Sequence, residues 1–184
     1  MDKTEAVPLN PAKQNAEDDY NYASHEAQRR IDEWVSRDDT TYVLDLSNLN
    51  LIKLPSLPSR LKELYCNYNQ LTKLPELPQG LEVLGCQCNQ LTELPSLPSS
   101  LKSLYCYDNQ LIKLPPLPPN LIILHCKKNQ LTLLPPLPQC LEELYYYGNP
   151  LQYPPPEVAE RSLDEIKEWM SENPLNFVKS AYKC

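Results

Sequence analysis

Leucines recur at fixed offsets through the middle of the chain. Aligned on their first leucine, successive blocks of 20 residues begin at Leu61, Leu81, Leu101, Leu121 and Leu141. Each reads L-x-x-L-x-[C/Y]-x-x-N-x-L, and the first four continue x-x-L-P-x-L-P-x-x. A degenerate block, residues 41–60, precedes them. A fixed period of this length predicts a stack of identical structural units that bury their leucines only together.

The pattern inside one block predicts its local structure. Leu101, Leu104 and Cys106 fall on one face of an extended segment, so we expect a short strand whose other face is exposed. Prolines fix φ and favour an extended, polyproline-like return segment, and so short a block leaves no room for a helix there. The predicted fold is an α/β repeat: a leucine-rich repeat solenoid with a parallel concave sheet and an extended convex side.

An asparagine closes each strand. Its side-chain amide can bond backbone groups of adjacent turns that water cannot reach. We therefore interpret this column as structural rather than as a binding site. Its members are Asn69, Asn89, Asn109, Asn129 and Asn149.

Both open ends of such a stack need a polar-backed cap. Residues 23–37 place Ala23, Ala27, Ile31 and Trp34 or Val35 at helical spacing. At the other end, Ser162 and Glu165 form a capping box that opens a second amphipathic helix. The predicted organisation is a disordered segment 1–20, a helical N-terminal cap 21–40, the solenoid 41–153 and a helical C-terminal cap 154–184.

The seven cysteines invite a disulfide or zinc interpretation, but their spacing argues against both. Four of them occupy one inward slot and predict a column of small buried side chains with free thiols. Tyr146 fills that slot in the last block, which a structural metal site would not tolerate. We predict no metal, no disulfide and a reducing compartment. The column consists of Cys66, Cys86, Cys106 and Cys126.

Charge and hydropathy exclude several classes of function. The net charge is −7, and residues 1–40 carry ten acidic and five basic side chains. Residues 41–151 carry eight of each, so no basic footprint for nucleic acid exists. No stretch approaches the length of a membrane span or a cleaved signal peptide. We expect a soluble, monomeric protein in which the segment 1–20 could carry a non-classical export signal.

Outward strand positions vary while the leucine frame does not, which predicts a variable binding surface on a fixed scaffold. Tyrosine is abundant there, 12 in the chain against one phenylalanine, and it supplies rigid contact area with a polar tip. Alternatively, tyrosine simply suits strand positions and cross-strand stacking. The predicted protein-binding residues, centred on the C-terminal half, are Tyr65, Tyr68, Tyr105, Tyr107, Asp108, His125, Lys127, Tyr145 and Tyr147.

Catalytic and cofactor motifs are missing from the sequence. There is no nucleophile elbow and no glycine-rich phosphate loop. Cys88 and His125 lie two repeats apart, about 10 Å at strand spacing, too far for a nucleophile–base pair. Asp108 and His125 could be a neighbouring surface pair, to which we give no catalytic meaning. We predict no enzymatic activity and no cofactor.

The segment LTKLPELPQGLEVLGCQCNQLTELPSLPSSLKSL, residues 71–104, resembles the short repeats of bacterial "LPX" effectors such as the YopM, SspH and IpaH groups. The resemblance covers about residues 25–151. It implies a right-handed solenoid that leaves the bacterial cytoplasm by non-classical secretion and binds a host protein in the host cell cytosol. The cysteine slot departs from the larger aliphatic residue of that family. The segment 152–184 is also too short for the ligase domain that follows the repeats in SspH and IpaH.

Three functions follow from this resemblance and the residues. The first is a secreted effector that binds a host protein through its concave tyrosine-rich face. The second is the substrate-recognition domain of a ubiquitin ligase effector. The third is a scaffold resident in the bacterial cytosol.

Overall fold

The computed structural model of the protein describes residues 11–37 and 43–174, with side chains from Asn21 onward. An N-terminal helix α1, Pro11–Ser36, is followed by six strands and two C-terminal helices. The strands are β1 (Leu44–Asp45), β2 (Glu63–Tyr65), β3 (Val83–Gly85), β4 (Ser103–Tyr105), β5 (Ile123–His125) and β6 (Glu143–Tyr145). The helices are α2 (Pro156–Ala159) and α3 (Leu163–Glu172).

The six strands form one parallel sheet in chain order, and paired residues on neighbouring strands are one repeat apart in the sequence. Leu64 pairs with Leu84, Leu84 with Leu104, and Leu104 with Leu124. Every outward position is therefore flanked by its equivalents in the preceding and following repeats. The predicted right-handed leucine-rich repeat solenoid with a parallel sheet is confirmed.

Leucine packing and an asparagine ladder hold the turns together. Most inward leucines from Leu61 to Leu131 are almost completely buried, as is the predicted cysteine column, while Leu97 and Leu117 are partly buried. Each asparagine amide reaches two turns: Asn89 Nδ2 donates to the carbonyls of Cys66 and Cys86, both at 3.1 Å. Its Oδ1 accepts from the Leu71 amide at 3.0 Å. The structural interpretation of this column is confirmed.

The convex segments contain neither helix nor strand in the described repeats, as the prolines predict. Each segment ends in a tight turn, in which the amide of the next block's first leucine bonds a proline carbonyl, for example Leu81 to Pro78 at 3.0 Å. The short return path leaves the opposite side of the sheet uncovered. That side is called the concave face below.

The caps differ from the prediction at their boundaries. Helix α1 begins at Pro11, so the predicted disordered segment 1–20 is wrong for residues 11–20. Ala23, Ala27, Ile31 and Trp34 are buried, whereas Val35 is half-exposed because it lies on the outer side of the helix. The remaining predictions for residues 1–10, 38–40 and 175–184 lie outside the described residues.

At the C-terminal end, the Ser162–Glu165 capping box is present in full and opens α3. Ile166 and Met170 of this helix are buried. The sequence did not predict α2, whose buried Val158 adds to the cap. In the described part of the chain, no helix is both long enough and apolar enough to cross a bilayer.

Candidate protein-binding face

The pleat of each short strand fixes which side chains reach the concave face. In β4, Leu104 is buried while Ser103 and Tyr105 point to the opposite side and remain partly exposed. The same alternation repeats in β2 and β5. Because the register is constant, equivalent residues of successive strands stack in columns, and neighbours within one column are about 4.8 Å apart. The concave face therefore consists of parallel columns of outward side chains.

The first column is a stack of three rings on β4, β5 and β6. The ring of His125 lies between those of Tyr105 and Tyr145, with centroids 4.9 and 4.5 Å away and ring planes nearly perpendicular. This edge-to-face geometry is the favoured one for aromatic pairs. His125 Nε2 lies 2.9 Å from Oε1 of Glu143, a hydrogen bond that fixes the imidazole. The three rings are thus held in one arrangement.

The second column places a cation between two rings. The ammonium group of Lys127 lies 4.8 Å from the ring centroid of Tyr107 and 5.4 Å from that of Tyr147. Both distances are within the range of cation–π attraction. A hydrogen bond with the Tyr147 hydroxyl raises the pKa of Lys127, because it favours the charged amine. Lys127 is therefore cationic at neutral pH.

The third column runs along the turn at the strand ends, and its residues share a left-handed backbone. Tyr68, Cys88, Asp108 and Lys128 have φ between 52° and 56°. Glycine occupies this slot once, at Gly148 with φ of 73°. Asp108 pairs with Lys128 at 3.4 Å. Asp108 therefore has Lys128 as its ion-pair partner, whereas the hydrogen bond of His125 is with Glu143.

The nine predicted site residues separate into two groups. The first group combines the first and second columns with Asp108 at their border. Its members are Tyr105, Tyr107, Asp108, His125, Lys127, Tyr145 and Tyr147. Tyr65 and Tyr68 lie on the β2 repeat, with the β3 repeat between them and the patch. Tyr65 leans over Gly85, where an added Cβ would lie 2.6 Å from its Cδ1 atom. The first group is called the C-terminal patch below.

One feature near this patch was missed from the sequence. A cleft of about 420 Å³ opens between the last strand and the C-terminal cap, lined by residues that include Tyr145, Leu151 and Ala159. Tyr146, which replaces the cysteine of earlier repeats, crosses it and donates a hydrogen bond to the Ala159 carbonyl. The change from Cys to Tyr in that slot was the available signal, because a ring cannot fit where a thiol is fully buried.

The thiols of the repeats are held in their protonated form by burial. Burial raises the pKa of the Cys86 and Cys126 thiols to about 12, so both are protonated at neutral pH. Burial also raises the pKa of Cys88, which disfavours a reactive thiolate there. Within residues 11–37 and 43–174, no group of His, Cys, Asp and Glu is arranged to hold a metal ion. The patch offers aromatic surface, phenolic donors and a cation.

Comparison with known proteins identifies the repeats. A family model described as leucine-rich repeats (2 copies) matches residues 59–99. The matched residues are leucine-rich repeats, and the fold is a leucine-rich repeat solenoid. Comparison with curated proteins gives no match.

Solved structures similar to this leucine-rich repeat protein come from bacterial effectors. YopM from Yersinia enterocolitica WA-314 is 45% identical with a TM-score of 0.56, over 56% of this chain and 23% of that one. A Shigella effector LRR domain is 41% identical with a TM-score of 0.66, over 68% of this chain and 56% of that one. YopM from Yersinia pestis, described as a leucine-rich effector protein, is 39% identical with a TM-score of 0.67, over 72% and 38%.

These comparisons confirm the predicted resemblance to bacterial leucine-rich repeat effectors. The chain spans 23–56% of the length of the effector chains it matches. The shared part is the repeat array, the kind of domain that presents a surface to other proteins.

Proposed function

We propose that this leucine-rich repeat protein is a non-enzymatic, monomeric effector that binds a host protein through the C-terminal patch. The observation that carries the proposal is the ordered packing of exposed aromatic side chains. Tyr145 and Tyr147 are 45% and 55% exposed, yet each ring is held against a neighbour, His125 or Lys127. Side chains ordered before binding lose little entropy on contact, which favours affinity.

Composition supports the same surface. Tyrosine is enriched at the energetic centres of protein interfaces, and rigid tyrosines supply contact area at small entropic cost. Tyr105, Tyr107, Tyr145 and Tyr147 lie on two neighbouring columns with His125 and Lys127 between them. No comparable stack of rings covers β2 and β3 in the described structure, where Gly85 interrupts the column. The C-terminal patch is therefore preferred over the rest of the concave face.

Delivery to a host cell is part of the proposal. The similar structures are effectors of Yersinia and Shigella. The chain would leave the bacterial cytoplasm by a non-classical route and act in the host cytosol. A reporter fused to residues 1–20 or 165–184 tests this in an infection assay. Reporter activity inside host cells supports delivery, and retention of both fusions in the bacterium supports a resident scaffold instead.

Binding is tested by pull-down from eukaryotic lysate with the full chain and the variant Tyr105→Ala/Tyr107→Ala/His125→Ala. A matched control is Thr92→Ala/Ile112→Ala/Lys113→Ala, three exposed positions beyond the strand-end turns. Circular dichroism and thermal midpoints establish that all three proteins are folded. A band lost only with the tyrosine variant supports the patch. A band that is retained by the tyrosine variant and lost with the control would place the binding site outside the concave face.

A further inference from the structure

Charge is unevenly distributed along the concave face. Its N-terminal rows, residues 43–48, 63–68 and 83–88, carry Asp45 and Glu63 and no basic side chain. The C-terminal rows, residues 103–108, 123–128 and 143–148, carry Lys127 and Lys128 together with Asp108 and Glu143. The cations of the face therefore lie at one end only.

The charged groups of the C-terminal patch differ in how they are already engaged. Asp108 pairs with Lys128, and Glu143 accepts from His125. Lys127 is different, because its ammonium lies between the rings of Tyr107 and Tyr147. Among the described residues, no carboxylate lies within ion-pair distance of its ammonium group.

The surroundings of Lys127 suit one carboxylate. Its ammonium is fixed by two rings, so an incoming anion need not order a flexible lysine. The Tyr147 ring lies against that ammonium, and its phenol O–H is a second donor on the same side chain. An ammonium and a phenol donor side by side make charge-assisted hydrogen bonds to an anion.

We propose that the C-terminal patch recognises an acidic protein segment, one of whose Asp or Glu carboxylates binds between Lys127 and the Tyr147 hydroxyl. The proposal rests on the proposed function and names the partner's chemistry at that site. Side chains next to the carboxylate pack on the rings of Tyr107 and Tyr145. Asp108 and Glu143 flank the site and repel a partner with continuous negative charge, which disfavours nucleic acid. A single acidic residue in an otherwise polar or apolar segment fits best.

The experiment uses the full chain and a fluorescein-labelled, C-terminally amidated decapeptide with one central glutamate among prolines and serines, followed by fluorescence anisotropy. The decapeptide with glutamine in place of glutamate is the neutral probe. Lys127→Gln removes the cation, Lys127→Arg keeps it, and Lys113→Gln removes an exposed lysine outside the concave face. Thermal midpoints check that every variant is folded.

The expected result is tighter binding of the acidic probe than of the neutral one, weakened by salt. Lys127→Gln lowers affinity for the acidic probe by about fivefold or more, the size of one ion pair. Lys127→Arg keeps the charge and should lose less affinity than Lys127→Gln, and Lys113→Gln keeps affinity within about twofold of the wild type. Equal binding of both probes, or equal loss with Lys113→Gln, overturns the proposal.

Two further arms separate related explanations. Displacement of the acidic probe by inorganic phosphate, but not by acetate, at constant ionic strength would show a phosphate site and overturn the proposal. In the lysate pull-down, a band that is lost with the tyrosine variant but kept with Lys127→Gln would overturn the proposal that the partner binds through an acidic segment. It would leave the proposed function standing, so the two failures are distinguishable.

Discussion

The ammonium group of Lys167 on α3 donates hydrogen bonds to the carbonyl oxygen of Leu141 at 2.5 Å and to that of Gln139 at 3.1 Å. At two junctions inside the array, the last residue of a repeat makes this contact. Ser100 Oγ bonds the Gln79 and Leu81 carbonyls, and Cys140 Sγ bonds those of Pro119 and Leu121. Lys167 thus makes, at the end of the array, the contact that the last residue of a repeat makes inside it.

Lys167→Met should lower the free energy of unfolding by about 2 kcal/mol, because two carbonyls lose a charged donor while the aliphatic stem remains. Urea unfolding followed by circular dichroism measures the change. The control Lys113→Met alters an exposed lysine and should stay within about 0.5 kcal/mol of the wild type. Equal effects of the two substitutions would show that Lys167 does not cap the array.

Asn89→Ala should be more damaging, by about 3 kcal/mol, because the Leu71 amide and the carbonyls of Cys66 and Cys86 all lose a partner away from water. The neighbouring Gln90 is exposed, and Gln90→Ala should leave stability within about 0.5 kcal/mol. Urea midpoints of the two variants decide the matter. Similar midpoints would contradict the role given to the asparagine ladder.

The buried thiols predict loss of stability in alkali. Burial raises the folded-state pKa of Cys86 from 9.0 to about 12. A raised folded-state pKa contributes its full stabilisation when the pH is below the pKa of the unfolded chain. That contribution is lost as pH rises from about 9 towards 12. Cys86→Ala should therefore make the fall of unfolding free energy shallower by about 1.4 kcal/mol per pH unit in this window.

Urea unfolding under reducing conditions at a series of pH values from neutral to alkaline measures that slope. Gln90→Ala is the control, because this exposed side chain carries no titrating group. Its slope should equal that of the wild type. A slope unchanged by Cys86→Ala would contradict the assignment of the thiol column to the core.

Gly85→Ala should displace the ring of Tyr65, since the new Cβ would lie 2.6 Å from Cδ1. The expected cost is about 1 kcal/mol, typical of a small steric insertion. In a Tyr65→Ala background the same substitution should cost almost nothing, and this double-mutant cycle is the test. Gly80→Ala is the control, because its Cβ would meet only Lys62 Nζ at 3.9 Å.

The outward columns show how far sequence reasoning reaches into the candidate site. A strict repeat period with in-register parallel pairing makes Tyr105, His125 and Tyr145 neighbours, and the structure places them in contact. The same rule puts Lys128 beside Asp108, and the structure shows an ion pair between these two residues. The contact of His125 with Glu143 crosses columns and depends on side-chain rotamers, which the period does not specify.

The ends of the chain depart most from the prediction. The residues before Asn21 have no strong apolar period, yet α1 begins at Pro11. The helical spacing of α3 was visible in the sequence, but the placement of Lys167 over the Leu141 carbonyl was not. That contact joins residues far apart in the chain and depends on how the helix docks.

The sequence by itself determined the repeat, the inward leucines and cysteines, the asparagine ladder and the identity of the concave residues. Each follows from a local period, because identical units can bury their apolar faces only by stacking in register. The tertiary structure alone decided which polar groups pair and how the caps replace absent neighbours. Those contacts depend on the docking of unlike elements and on rotamer choice, neither of which the repeat period encodes.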